Sequence, residues 1–192
     1  KLLPRLPRPA QLGLATLLLA GRVQAALDQN GNLLSDVWET LHAAQGLPLQ
    51  LDADGDGFST AAEALAGTDP HNALSRPELA IAETAGGMRL LWPGIAGKRY
   101  TLFASDGLSP AGWAAAATID GKGGEAVADV SGDAPRRFFR LDAADVDSDG
   151  DGLNDWEEAT LGLSATSAHS DRQDTPDFAR VQAAWNAPST VS

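Results

Sequence analysis

The sequence predicts an α+β fold in which acidic loop–helix units flank a small antiparallel, β-sandwich-like domain. Two observations lead to this prediction. Loops rich in Asp and Gly, each followed by a short helical segment, occur towards both ends of the chain. Between them, short apolar segments alternate with Gly and Pro turns, a pattern typical of antiparallel strands.

Two of the acidic loops, residues 52–63 and 147–158, fit the calcium-loop pattern D-x-[DN]-x-[DN]-G-x5-E at every specified position. Calcium takes about six to eight oxygen ligands, and this spacing provides them from side chains at positions 1, 3, 5, 9 and 12 and from the backbone carbonyl at position 7. An acidic surface turn is the alternative, because Asp and Gly are common in turns. The predicted ligands are Asp52, Asp54, Asp56, Phe58, Thr60 and Glu63 in one loop, and Asp147, Asp149, Asp151, Leu153, Asp155 and Glu158 in the other.

Residues 28–39 form a weaker copy of the same pattern, the first of three loops along the chain. Leu33 occupies position 6, where a left-handed backbone costs a non-glycine residue about 1–2 kcal/mol. Two ligand positions hold neutral Asn side chains, so we expect this site to be the weakest. The alternative is an Asn-Gly turn that leads into a helix capped by Ser35 or Asp36. The candidate ligands are Asp28, Asn30, Asn32, Leu34, Asp36 and Glu39.

A short helix is predicted after each loop, whereas the residues before each loop are not convincingly helical. The units are therefore EF-hand-like loops with one helix rather than complete helix–loop–helix hands. The predicted helices run from Asp36 to Gln45, from Thr60 to Gly67 and from Asp155 to Gly162.

These units, and especially Glu63-Ala-Leu-Ala-Gly-Thr-Asp-Pro-His-Asn72, resemble the EF-hand-type calcium repeats of dockerins and the thrombospondin type 3 repeats of secreted proteins. The resemblance covers residues 28–72 and 145–162. The layout resembles the N-terminal part of large secreted bacterial proteins, in which such repeats flank a short β module before further domains. The third loop lacks the Gly-Thr-Asp-Pro ending, and no Cys follows any loop, unlike the disulfide-linked animal form.

Residues 78–142 are predicted to form the β domain. Six short segments with turn signals about every 8–12 residues indicate an antiparallel sandwich or a barrel-like meander. A core this small is marginal alone, and docking onto the calcium units would support it. The predicted strands are 79–84, 88–92, 99–104, 113–119, 125–130 and 137–141.

Two groups of side chains in the β domain suggest binding roles. Trp92, Tyr100 and Trp113 offer an aromatic platform for a polysaccharide, although such aromatics more often fill a small core. Arg136, Arg137 and Arg140 form a basic run. We expect this run to be a solvated strand face, paired with neighbouring acids, rather than an anion site.

Residues 1–25 have the pattern of a signal peptide, with basic residues at the start, an apolar stretch at residues 12–20 and small residues before Ala25. The apolar stretch is too short to span a bilayer, which takes about 20 residues. We therefore expect a secreted or cell-surface bacterial protein, cleaved near Ala25, with no transmembrane segment in the mature chain.

The net charge of −12 argues against nucleic acid as a partner, because phosphates carry the same sign. The sequence has no Gly-x-Ser-x-Gly, His-Glu-x-x-His or phosphate-binding glycine motif. His42, His71 and His169 are far apart in sequence, and each is expected at the surface or in a cap. We therefore expect a non-enzymatic protein that binds two or three calcium ions.

The predicted organisation is a signal peptide (1–25), paired calcium units (26–75), the β domain (78–142), a third unit (145–163) and a linker (164–192). The linker is expected to contain an amphipathic helix with Thr175 as N-cap and Pro176 at the first helical position, and to lead into a further domain. The expected role is a structural spacer of a larger extracellular protein. A dockerin-like protein-docking module and a carbohydrate-binding β module are the alternatives.

Overall fold

The computed structural model describes residues 13–17, 27–85, 87–131, 137–171 and 174–187, which form an α+β structure. None of the helices in these ranges is both long and apolar enough to cross a lipid bilayer. The elements, in order, are β1 (Gly13–Leu17), α1 (Asp36–His42), α2 (Thr60–Ala66), β2 (Ala80–Thr84), β3 (Gly87–Pro93), β4 (Lys98–Ser105), a 3-10 turn (Pro110–Gly112), β5 (Ala114–Asp120), β6 (Glu125–Ser131), β7 (Arg137–Asp145), α3 (Asp155–Leu161) and α4 (Asp177–Trp185).

The β domain contains the six predicted strands, β2 to β7, in two small antiparallel sheets. One sheet has the strand order β2-β3-β6, and in the other β4 lies between β7 and β5. The two sheets share one hydrophobic core, so they pack as a sandwich rather than a meander. The buried members are Met88, Leu90, Trp92 and Ala128 from the first sheet, and Tyr100, Leu102, Ala104, Phe139, Leu141 and Ala143 from the second.

The predicted aromatic platform is not formed at the surface. Trp92 and Tyr100 are only 3% and 4% exposed, and their ring centroids lie 5.9 Å apart within the core. Arg140, from the basic run, lies 4.4 Å from the Phe103 ring centroid and 5.4 Å from that of Trp113. The aromatics and this arginine therefore stabilise the sandwich, and they leave no open stacking surface at Trp92 and Tyr100.

Within the predicted signal segment, the structure describes only β1. This strand pairs in parallel with β7, from Gly13 opposite Arg137 to Leu17 opposite Leu141. The predicted cleavage point at Ala25 lies outside the described residues.

The first three helices begin on side-chain N-caps, which explains where each one starts. Ser35, Ser59 and Asn154 accept hydrogen bonds from the backbone of the first turn of α1, α2 and α3. The predicted ends of α2 and α3 are confirmed at Gly67 and Gly162, which adopt left-handed conformations.

Two predicted helix boundaries are wrong. α1 ends at His42 rather than at Gln45, because Ala43 adopts a left-handed C-cap conformation with φ of 51°. In α4, Pro176 is the N-cap and the helix begins at Asp177. The ψ of 150° at Pro176 is extended, so this residue lies outside the helix and Thr175 lies one position before the cap.

The loop–helix units that precede the β domain in the sequence and those that follow it share one hydrophobic core, which we call the helical core. α1 contacts α3 directly. The β domain is therefore inserted into a helical domain made of residues 27–75, 146–171 and 174–187. The buried members of the helical core are Leu27, Leu34, Val37, Trp38, Ala44, Ala64 and Trp156, and Phe178, Val181 and Trp185 of α4 pack against it.

The turn between β3 and β4 packs against the helical domain. Ile95 of this turn packs on the helical core. Lys98 is only 2% exposed. Its Nζ lies 2.5 Å from Asp145 Oδ1 and 5.1 Å from the Trp156 ring centroid. Gly97 has φ of +80°, and a Cβ added there would lie 2.3 Å from the backbone nitrogen of Trp156. The start of α3 therefore rests directly on the β domain.

Candidate metal sites

The first Asp of each loop holds the turn in place. Asp52 Oδ1 accepts from Gly55 N at 2.8 Å and Asp52 Oδ2 from Gly57 N at 3.0 Å. The Asp147 carboxylate accepts the same two bonds, from positions 4 and 6 of its loop, at 2.7 and 3.1 Å. The glycines at position 6 have φ of 97° and 106°, a region that suits glycine. This geometry explains the Asp and Gly of the sequence pattern.

A backbone hydrogen bond closes each loop where its helix begins. Thr60 N donates to Leu51 O, and Asp155 N donates to Val146 O, both at 2.7 Å. Each helix therefore starts at position 9 of its loop. This places the Glu at position 12 on the first turn of the helix, beside the carboxylates at positions 1, 3 and 5.

Two clusters of carboxylates result from this geometry. The ligand oxygens of Asp52, Asp54 and Asp56 lie within 4.8 Å of one another, and so do those of Asp147, Asp149 and Asp151. The glutamates at position 12, Glu63 and Glu158, are fully buried. Several oxygens of both clusters are buried and have no hydrogen-bond partner among the described residues, namely Asp54 Oδ2, Asp56 Oδ2, Asp149 Oδ2 and both carboxylate oxygens of Glu63 and of Glu158.

The electrostatics of the two clusters disfavour ionised glutamates when no cation is present. Burial, followed by the charges of the neighbouring Asp54, Asp56 and Asp52, raises the pKa of Glu63 to about 8. Burial, followed by Asp149 and Asp151, likewise raises the pKa of Glu158 to about 8. An ionised carboxylate that is buried and accepts no hydrogen bond is unfavourable unless a cation neutralises its charge. The donor set, made of carboxylate oxygens, suits a hard divalent cation such as calcium.

The residues predicted at position 9 have hydrogen-bonding roles within their loops. Ser148 donates its backbone N–H to Asp155 Oδ1 at 2.8 Å and its hydroxyl to Asp155 Oδ2 at 2.7 Å. Thr60 donates its hydroxyl to Leu51 O at 3.0 Å. Position 7 holds Phe58 and Leu153, whose backbone N–H groups donate to the Asp at position 5. Their carbonyl groups remain predicted ligands.

The first loop has the same backbone but a different interior. Asp28 accepts from Gly31 N and Leu33 N, at 2.8 and 2.9 Å. Leu33 adopts φ of 74°, so the expected left-handed position is confirmed. The Glu39 carboxylate, however, accepts hydrogen bonds from Asn30 Nδ2 at 2.9 Å and from Asn32 Nδ2 at 2.8 Å. Asp36, the remaining predicted side-chain ligand of this loop, accepts a hydrogen bond from Gln29 N at position 2 over 2.9 Å. Leu34 at position 7 is a predicted ligand through its backbone carbonyl only.

Sequence reasoning missed a fourth turn, which leads into α4 and shares two hydrogen bonds with the first and third loops. Asp177 N donates to Ala168 O at 2.9 Å, nine residues back, like the closing bond of each loop. Ser170 N donates to Asp177 Oδ2 at 2.9 Å, the bond that position 2 makes to position 9 elsewhere. Counted this way, position 12 is Arg180, which forms an ion pair with Asp171 at position 3. No acidic pattern in the sequence marks this turn.

A second missed residue is Glu157, which joins the two halves of the helical domain. Its Oε1 accepts from Ser35 Oγ at 2.6 Å and from Leu27 N at 3.4 Å, and its Oε2 accepts from Asn154 N at 3.1 Å. The Asn-x-x-Glu spacing of a capping box was visible in the sequence. The contact with Ser35 depends on the folded arrangement of distant segments.

Comparison with known protein families gives a match at the second and third loops. The sequence model of the bacterial TSP3 repeat matches residues 52–73 and 147–162. No curated protein and no solved structure matches the chain. The two segments that match the bacterial TSP3 repeat, a calcium-binding repeat, are therefore the same two that carry the acidic clusters.

Proposed function

We propose that this chain binds two calcium ions, one in each of the loops 52–63 and 147–158, and that these ions stabilise the helical domain. The observation that carries the proposal is the buried state of Glu63 and Glu158, whose oxygens have no hydrogen-bond partner among the described residues. Each glutamate lies on the first turn of a helix beside three Asp residues. A bidentate glutamate at position 12 is the ligand that completes such a calcium loop.

Calorimetric titration of the full chain with calcium tests this proposal. We expect two sites, and we expect Glu63→Gln and Glu158→Gln each to remove one of them. Glu83→Gln on strand β2 is the matched control, because Glu83 is exposed and lies in neither cluster. Fewer than two sites in the unchanged chain would contradict the proposal. Loss of a site in the control variant would show that the effect is not specific to the loops.

The proposed role of calcium is structural rather than regulatory. At a free concentration about ten times the dissociation constant, each ion adds about 1.4 kcal/mol to the free energy of unfolding. Helices of seven residues, such as α2 and α3, are too short to persist alone. Helix α3 carries Glu158, a predicted ligand, and also Trp156, a member of the helical core. An ion in the third loop therefore supports packing across the whole helical domain.

We further propose that the protein is exported and acts as a structural spacer within a larger extracellular bacterial protein. The charged, apolar and small-residue order of residues 1–25 supports export. A reporter without its own signal, fused behind residues 1–30, should be secreted and cut after Ala25. An uncut precursor retained in the cytoplasm would contradict export and would leave the calcium proposal untouched.

A further inference from the structure

We propose that the first unit, which is the first loop with α1, and the fourth unit, which is the turn before α4 with α4 itself, need no calcium, because side chains of the chain itself occupy the ion's place. In the first unit these are the amides of Asn30 and Asn32, and in the fourth unit the guanidinium of Arg180. The inference rests on the proposed function for the role of the ion in the second and third loops.

Backbone bonds determine the orientation of the two amides in the first loop. Asn30 Oδ1 accepts from Asn32 N at 2.9 Å, and Asn32 Oδ1 accepts from Leu34 N at 2.8 Å. Since only the oxygen of an amide accepts, the NH2 group of each side chain must point the other way. Both NH2 groups therefore point to Glu39, which is 1% exposed.

The second loop shows what these NH2 groups replace. Asp54 Oδ1 and Asp56 Oδ1 accept the same backbone bonds that the two Asn oxygens accept in the first loop. The other oxygens, Asp54 Oδ2 and Asp56 Oδ2, are buried without a partner among the described residues. Each Asn Nδ2 occupies the position of one of these oxygens. The first loop thus has two donors facing its glutamate where the second loop has acceptors only.

The fourth unit reaches the same result with a cation of its own. Arg180 occupies the position that Glu holds in the other units, and its guanidinium pairs with Asp171. Arg180 Nη1 also lies 3.4 Å from Oδ1 of the fully buried Asp177. A hydrogen bond from backbone to side chain links this unit to the neighbouring loop, because Phe178 N donates to Asp151 Oδ2 at 3.1 Å. The fourth unit therefore packs against the third loop, and its half-buried Arg180 already supplies a positive charge beside Asp171 and Asp177.

Glutamine substitutions at position 12 distinguish the two kinds of loop. In calorimetry, Glu39→Gln should leave the number of calcium sites at two, whereas Glu63→Gln should reduce it to one. In excess chelator, Glu39→Gln should lower the Tm, because the two partly buried hydrogen bonds that Glu39 accepts are lost or reversed. Glu63→Gln should not lower the Tm there, because its oxygens accept no bond among the described residues. Three sites in the unchanged chain, with one removed by Glu39→Gln, would overturn the inference and leave the proposed function standing.

Restoring the acids should convert the first loop into a calcium loop. The double variant Asn30→Asp, Asn32→Asp removes both donors and supplies two metal-facing oxygens, so we expect the number of sites to rise from two to three. Combining it with Glu39→Gln should return the number to two. A count that stays at two in the double variant, with the protein folded in calcium, would overturn the assignment of the amides.

Removal of the arginine tests the fourth unit. Arg180→Met keeps most of the side-chain stem and should lower the Tm by the same amount in calcium and in chelator, with two sites retained. Arg99→Met is the matched control, since Arg99 forms an exposed ion pair with Asp120 on the β domain. An unchanged Tm in Arg180→Met would contradict the inference.

Discussion

Ser35 donates its hydroxyl to Glu157 Oε1 over 2.6 Å, although 122 residues separate the two in sequence. Ser35 also caps α1 through Trp38 N, and Glu157 is fully buried at the start of α3. The next residue, Glu158, belongs to the acidic cluster of the third loop. One turn of α3 therefore connects a candidate calcium site with the first unit, which precedes the inserted β domain in the sequence.

Removing the Ser35 hydroxyl should cost more than removing an ordinary helix cap. Ser35→Ala loses an N-cap, worth about 1 kcal/mol, and leaves the buried Glu157 short of a donor, which adds about 1–3 kcal/mol. Ser59→Ala is the matched control, because the Ser59 hydroxyl accepts from Ala62 N and has no second described partner such as Glu157. Urea denaturation in calcium measures both losses. Equal losses would show that the Ser35–Glu157 bond contributes nothing beyond the cap.

Chelation of calcium should remove helix and leave most strands in place. α2 and α3 depend on their loops, whereas the sandwich has its own core. Far-UV circular dichroism should report a loss of helical signal, and the fluorescence of Trp38 and Trp156 should change because both lie in the helical core. Magnesium should restore little, since it prefers octahedral geometry and shorter bonds. A spectrum and Tm unaffected by chelator would contradict the structural role of calcium.

Without calcium, the protein should lose stability as the pH rises from about 5 to about 8. Glu63 and Glu158 titrate near their ordinary value of 4.5 in the unfolded chain, and at about 8 in the folded one. Between these values the folded state holds more protons, so raising the pH favours unfolding. The Tm in excess chelator should fall over this range. The fall should be much smaller in the double variant Glu63→Gln, Glu158→Gln, and a Tm that rises with pH would contradict the prediction.

Gly97→Ala should weaken the junction between the two domains. The added Cβ would lie 2.3 Å from Trp156 N, so α3 must shift, and we expect a loss of about 3 kcal/mol. Gly123 has the same φ of +80° and no atom within 4 Å of an added Cβ. Gly123→Ala should therefore lose only the conformational term, about 1–2 kcal/mol. Thermal unfolding of both variants in calcium measures the difference, and equal losses would contradict the close contact with α3.

Local features of the fold could be predicted from the sequence because they depend on neighbouring residues. Six strands were predicted within a few residues of their bounds, since apolar segments and Gly turns alternate clearly. The starts of α1, α2 and α3 follow from caps and from the loop pattern. The start of α4 was missed by one residue, because the extended ψ of Pro176 is not visible in the sequence.

Long-range features could not be predicted, because they depend on how distant segments pack. Nothing in the sequence places α3 against α1 across an inserted domain. The Asn side chains of the first loop were interpreted as neutral ligands, because spacing does not show which amide atom faces Glu39. Arg180 was missed because its ion pair with Asp171 replaces the acidic pattern that would have marked the fourth unit.

The insertion of the β domain determines how a pulling force would cross the molecule. A pulling force applied through residues 27 and 187 acts on two segments that both belong to the helical domain, where α1 packs on α3. Tension therefore crosses the Ser35–Glu157 bond and the helical core before it reaches the inserted strands. The sandwich stays shielded from the force until the two halves of the helical domain have separated.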